Sequence, residues 1–241
     1  MSATTPLAFR KRALLIALAA FALVLILWNI PQLGFLLYPF RLFVTFVHES
    51  GHGLAALISG GHFEGFVVHS NGSGVALTAG GSRALILPAG YLGAALFGAV
   101  LFYLANSVPY SRVIAAGLGI ALGLITILYT DLLSVAFLVG LASAALLLYL
   151  GRRGHTDLTL LVLNLLAMVT ALNAVLDLLA LINNSGATLG AVRNDAAAFS
   201  AEIAPLIPPV VFAALWVLLA LIMLGAAIYF SIIRRWRARA E

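Results

Sequence analysis

Long apolar runs separated by short polar breaks dominate the chain: 13–30, 40–59, 84–105, 111–129, 132–150, 158–182 and 206–233. Most are near the roughly 20 residues that a helix needs to cross a hydrocarbon core about 30 Å thick. The pattern predicts an all-α polytopic membrane protein with six to seven transmembrane helices, forming one membrane-embedded domain over residues 1–241. Residues 62–81 break it. There, two short β-type runs, Phe63-Glu64-Gly65-Phe66-Val67-Val68-His69-Ser70 and Val75-Ala76-Leu77-Thr78, flank Asn71-Gly72-Ser73-Gly74, which reads as a β-hairpin. Bare strand edges are not tolerated in lipid, so the hairpin is expected at the interface or in a protein-lined cavity. Residues 183–204 form the longest polar connection after the hairpin.

Composition sharpens this picture. The 241 residues are 63% hydrophobic and 9% charged, against about 45–50% and about 25% for soluble domains. A soluble globular protein is excluded. Small-residue stretches such as Gly90-Tyr91-Leu92-Gly93-Ala94-Ala95 and Gly117-Leu118-Gly119 suit close helix–helix approach. There is no cysteine, which removes disulfides, thiolate metal sites and cysteine nucleophiles.

The net charge of +5 is concentrated at Arg10-Lys11-Arg12 and at Arg234, Arg235, Arg237 and Arg239. Such ends anchor at a cytoplasmic membrane surface, whereas nucleic-acid binding would need a basic face on a soluble domain. The expected location is integral and multi-pass, in a bacterial cytoplasmic membrane with both basic termini on the cytoplasmic side. The first apolar run is expected to be a retained span rather than a cleaved signal. Seven crossings would separate the two basic ends. One run is therefore expected not to cross, with the run containing His48 and the 111–150 block as the two candidates.

The chemistry centres on His48-Glu49-Ser50-Gly51-His52, an HExxH pattern. Helix positions four apart lie on one face about a turn apart, so both imidazoles can reach a single ion. Glu49 lies beside the ion without binding it, placed to take a proton from the attacking water and give it to the leaving amine. Two histidines and a glutamate in an apolar helix are costly unless they have a function. A catalytic zinc needs a third protein ligand and an open position. Asp177, apolar on both sides, is the first candidate, because an intramembrane carboxylate needs a cation. Asp131, beside Thr130 at a helix junction, fits capping or surface exposure. Asp195, in the polar connection, fits an N-cap for Ala196–Glu202. His62 and His69 on the hairpin, His155 and Glu64 are expected at the surface.

These residues resemble the site-2-protease type of intramembrane zinc metallopeptidase, and more closely its compact B-like branch. The resemblance runs from about residue 40 to 225. It rests on His48–His52, the hairpin from His69 to Gly74-Val75, Leu87-Pro88-Ala89-Gly90-Tyr91-Leu92-Gly93, Leu176-Asp177-Leu178 and Asn194-Asp195-Ala196. It implies His48, His52 and Asp177 as ligands of Zn2+ and Glu49 as general base. Leu176-Asp177 lacks the following glycine usual in that family, and Asp131 lies nearer the family's spacing.

The expected function is hydrolysis of peptide bonds in membrane-spanning or membrane-proximal substrates, most simply single-pass helices, with the bilayer as the other partner and no nucleic acid. Two alternatives stay open: a non-proteolytic membrane protein that keeps the zinc site, and a transporter using the histidines as a metal pathway. The oligomeric state, the regulatory partner and the cleavage position are left open.

Overall fold

The computed structural model describes residues 6–183 and 194–234. Helix α1 (Pro6–Asn29) leads through a single 3₁₀ turn into α2 (Gly34–Ile58). A two-stranded antiparallel hairpin follows, β1 (His62–Val68) and β2 (Gly74–Ala79). The remaining helices are α3 (Arg83–Ser107), α4 (Ser111–Tyr129), α5 (Val135–Arg153), α6 (Thr156–Asn183), α7 (Asp195–Ile203) and α8 (Pro209–Ile228), the last continued by a π-helical turn over Tyr229–Ile233.

Six of these helices, α1, α3, α4, α5, α6 and α8, are long and apolar enough to cross a membrane. Helix α2 is 25 residues long, but Arg41 and the run from His48 to His52 dilute its hydropathy and leave it outside that set. This is one of the two runs expected not to qualify as a crossing; the 111–150 block instead forms two full helices. The chain is an integral membrane protein, and its described residues are all-α apart from the hairpin.

Several boundaries differ from expectation. Helix α2 begins at Gly34 and runs through Pro39. The second apolar run was expected from residue 40; Pro39 instead lies inside the helix near its start, where it costs a single backbone hydrogen bond. The 183–204 connection is not all loop, because it contains α7. At the hairpin tip, Asn71 Oδ1 accepts from the Ser73 backbone N–H (3.0 Å) and hydroxyl (2.8 Å), and Gly72 takes a φ of +90°. That is the side-chain turn chemistry that Asn-Gly predicts. The hairpin is pinned to α2 by Thr45 Oγ1 donating to Gly72 O (2.7 Å) and Tyr38 OH donating to Ser70 O (2.8 Å).

Helices α3 and α6 form the centre of the bundle, each more buried than the other spans. They meet where Gly98 lies against Ala167 and Ala171, close enough that a Cβ would collide with backbone. Without a hydrophobic gradient between helices in lipid, such small-residue contacts and buried polar pairs hold them together. One pair joins the two helices: Asn106 Nδ2 donates to Asn164 Oδ1 (2.7 Å), while Asn164 Nδ2 donates to Leu160 O (2.9 Å).

Replacing Asn164 with Leu leaves the Asn106 amide only its bond to Phe102 O (2.8 Å) and removes its partner across the interface, and should lower stability by about 1 kcal/mol. Adding Asn106→Leu should restore part of the loss. Thermal unfolding of the purified protein in detergent checks both, and an additive double variant would contradict the coupling.

Candidate metal centre

Helix α2 delivers His48 and His52 one turn apart, and the structure brings Asp195 to them from the other end of the chain. His48 Nε2 and His52 Nε2 are 3.1 Å apart. Asp195 Oδ2 lies 3.3 Å from the first and 3.4 Å from the second. Among the described residues this is the one cluster of three such side chains placed to hold a metal ion. A tetrahedral ion with metal–ligand bonds near 2.1 Å sets its ligand atoms about 3.4 Å apart. The three separations fit that figure.

The ring orientations agree. His52 Nδ1 lies 2.7 Å from the Ile86 carbonyl oxygen. A carbonyl only accepts, so Nδ1 carries a proton, and the bond turns Nε2 toward the cluster. The His48 ring is held edge-on against Tyr91, centroids 4.5 Å apart. Gly90 supplies the room: a Cβ there would overlap the Nε2 atoms of both histidines.

Asp195 owes its position to the residue before it. Asn194 Oδ1 caps α7 by accepting from the Ala197 N–H (2.9 Å). Asp195 was read as that cap; it is instead the first helical residue, its side chain released toward the histidines. Burial pushes the Asp195 carboxyl up, but the hydrogen bonds and charges of His48 and His52 outweigh it and hold the group well below the usual carboxylate range. Helix α7 is itself fixed. Arg83 at the start of α3 forms a forked pair with Glu202 (2.7 and 3.1 Å), Ser200 donates to Ile207 O (2.6 Å), and Phe199 packs edge-on against Trp216.

The carboxylate beside the histidines is thus Asp195, not Asp177. Asp177 lies on the wall of the same cavity but accepts from Asn173 Nδ2 (2.9 Å) one turn away on α6, outside the three-residue cluster. Asp131 is exposed in the turn between α4 and α5, where its carbonyl accepts from the Ser134 N–H. His62, Glu64, His69 and His155 are exposed, as expected. Expectation missed Arg83 and Tyr91.

Glu49 is 5% exposed and faces the hairpin. The Ala76 backbone N–H on β2 donates to its carboxylate. Gly74 lets the strand come this close, since a Cβ there would sit 2.5 Å from Glu49 Oε1 and 2.7 Å from Thr45 Cγ2. The whole assembly borders a cavity of about 400 Å³ lined by His48, Glu49, His52, Asp195, Tyr91, Asp177 and the stretch from Gly72 to Ala76.

Fold and site together define an integral membrane protein with a His-His-Asp cluster arranged for a metal ion beside a buried glutamate. Its sequence matches the model of the Peptidase M50B-like family over residues 15–227, and the chain belongs to that family. No curated protein and no solved structure gives a significant match.

Asp195→Ala should lose bound metal as completely as His48→Ala, while Asp177→Ala and Asp131→Ala keep it. Elemental analysis of the purified variants decides this, and metal lost only with Asp177→Ala would move the third ligand. Gly90→Ala, which removes no ligand, should also lower metal content by crowding both rings.

Proposed function

We propose that the chain is an intramembrane zinc metallopeptidase that hydrolyses peptide bonds of membrane-spanning or membrane-proximal substrates. The observation that carries this is the meeting of His48, His52 and Asp195 at tetrahedral spacing, in one cavity with Glu49 and the edge of β2. Two imidazoles and a carboxylate form a donor set suited to zinc, with one position left for water or substrate. A zinc ion held there would act as a Lewis acid toward the scissile carbonyl and make water a stronger nucleophile.

Glu49 accepts the proton of the attacking water and passes it to the leaving amine. The Ala76 N–H holds one side of its carboxylate and fixes its orientation. A transmembrane helix has its backbone groups bonded internally, so the segment to be cut must first unwind. Strand β2 pairs with β1 along one edge. The other is marked by the Ala76 N–H reaching Glu49; Gly74 and Thr78, two positions to either side, share that edge and line the cavity. An unwound substrate adds there as a further strand, bringing its carbonyl toward the histidines. Arg83, Thr45 and Asp177 on the cavity wall give water a polar route inward. Six crossings return both basic ends to one side, which the positive-inside rule makes cytoplasmic.

Glu49→Gln should keep bound zinc yet cut cleavage of reconstituted single-pass membrane peptides by about 10²–10⁴-fold. Mass spectrometry of the products together with elemental analysis reads both quantities. Undiminished cleavage by Glu49→Gln would reject Glu49 as the base, and a zinc-loaded wild type inert toward every peptide in a broad panel would reject the peptidase.

A further inference from the structure

Away from the metal centre, α1, α3, α6 and α8 leave a second cavity of about 290 Å³. Its walls include Leu14, Leu18, Phe102, Ala171, Leu224 and Ile232, and they present essentially no polar surface. Space of this kind does not hold water, which needs two to four polar partners. Leu18, Phe21 and Ile228 along its length are exposed on the lipid-facing side, so the cavity is a groove that opens laterally.

A helix with its side chains is about 10–12 Å across, so two turns fill on the order of 1000 Å³, too much for the groove to enclose. Its wall on α1 runs from Leu14 to Phe21, about 10 Å at the helical rise. That is about a third of a hydrocarbon core, a depth that suits one acyl chain entering from a headgroup region.

The two ends of the groove differ. Arg10 and Lys11 precede Leu14 by four and three residues, so they lie on the same face of α1 one turn nearer its start. Arg234 follows Ile232 by two residues and lies over the Phe230 ring on the opposite face of α8, outside the groove. Lys11 is exposed, whereas Arg12 is engaged with Asp157 at the start of α6. The groove wall on α8 passes into the π-helical turn over Tyr229–Ile233; such turns interrupt helices at functional sites. An apolar slot with an exposed lysine at one mouth is complementary to a lipid with an anionic head.

We propose that this groove is a binding site for an anionic phospholipid, with one acyl chain between α1, α3, α6 and α8 and the phosphate headgroup against Lys11. The site is separate from the metal cavity, and its occupancy does not depend on peptidase activity.

Native mass spectrometry of the whole protein, released from mixed micelles with equal phosphatidylglycerol and phosphatidylcholine, tests it. Wild type should retain phosphatidylglycerol about fivefold in preference to phosphatidylcholine. The variant Lys11→Glu should retain the two equally, and Leu18→Trp, which fills the slot, should retain less of both. Equal retention by the wild type would mean an unselective lipid shell and overturn the proposal. So would an anionic preference that survives both variants. Lys11 is exposed in the second turn of α1, so that variant decides the question even if Leu18→Trp fails to fold.

Discussion

Two imidazoles and two carboxylates inside an apolar bundle are costly, and their convergence is the constraint on which the rest of the structure depends. None of these groups is left facing hydrocarbon alone. His52 gives its Nδ1–H to the Ile86 carbonyl, Asp195 sits between the two Nε2 atoms, and Glu49 takes the Ala76 N–H. Each partner comes from a different element, α3, α7 and β2. The polar cluster therefore dictates where those three elements must be.

The hairpin and α7 can be understood as answers to that demand. Strand β2 reaches Glu49 only because Gly74 has no side chain, and Thr45 and Tyr38 tie the hairpin tip to α2. Helix α7 is nine residues long, too short to persist alone in water. Its position comes from the Arg83–Glu202 fork, the Ser200–Ile207 bond and the Phe199–Trp216 contact. Because Asp195 is carried on it, these distant contacts set the geometry of the donor set. Arg83 thus acts on the site through Glu202 and the helix rather than by touching the histidines.

Much of this was legible in the sequence, for reasons that differ from element to element. The spans follow from apolar length, and the hairpin from Asn-Gly between two β-type runs. The histidine pair follows from helical period, because i and i+4 share a face whatever surrounds them. The third carboxylate was harder because two sound rules competed. An acid in an apolar span is expensive, which pointed to Asp177. An acid in a polar connection is cheap, which made Asp195 look like a cap. The local signal that separates them is Asn194: as a better-placed cap, it takes the first turn's N–H and frees the next residue. The approach of α7 to α2 is tertiary, and no pattern within residues 183–204 encodes it. Gly90 shows the same limit. Its motif read as helix packing, but the atoms it spares are the two imidazole nitrogens.

The division between Asp195 and Asp177 also has a physical logic. A carboxylate at the start of a short helix is favoured by the positive end of the helix dipole and by the ring charges beside it, and these hold it ionised despite burial. Asp177, in the last third of α6, has no helix N-terminus to help it. Asp177 relies on Asn173 and on facing the water-accessible cavity, and that exposure makes it tolerable in an otherwise apolar helix. The more buried acid therefore receives the stronger support, and the acid with weaker support keeps contact with the cavity. Asp195 is thereby suited to holding a cation, and Asp177 to lining the path by which water and an unwound chain arrive.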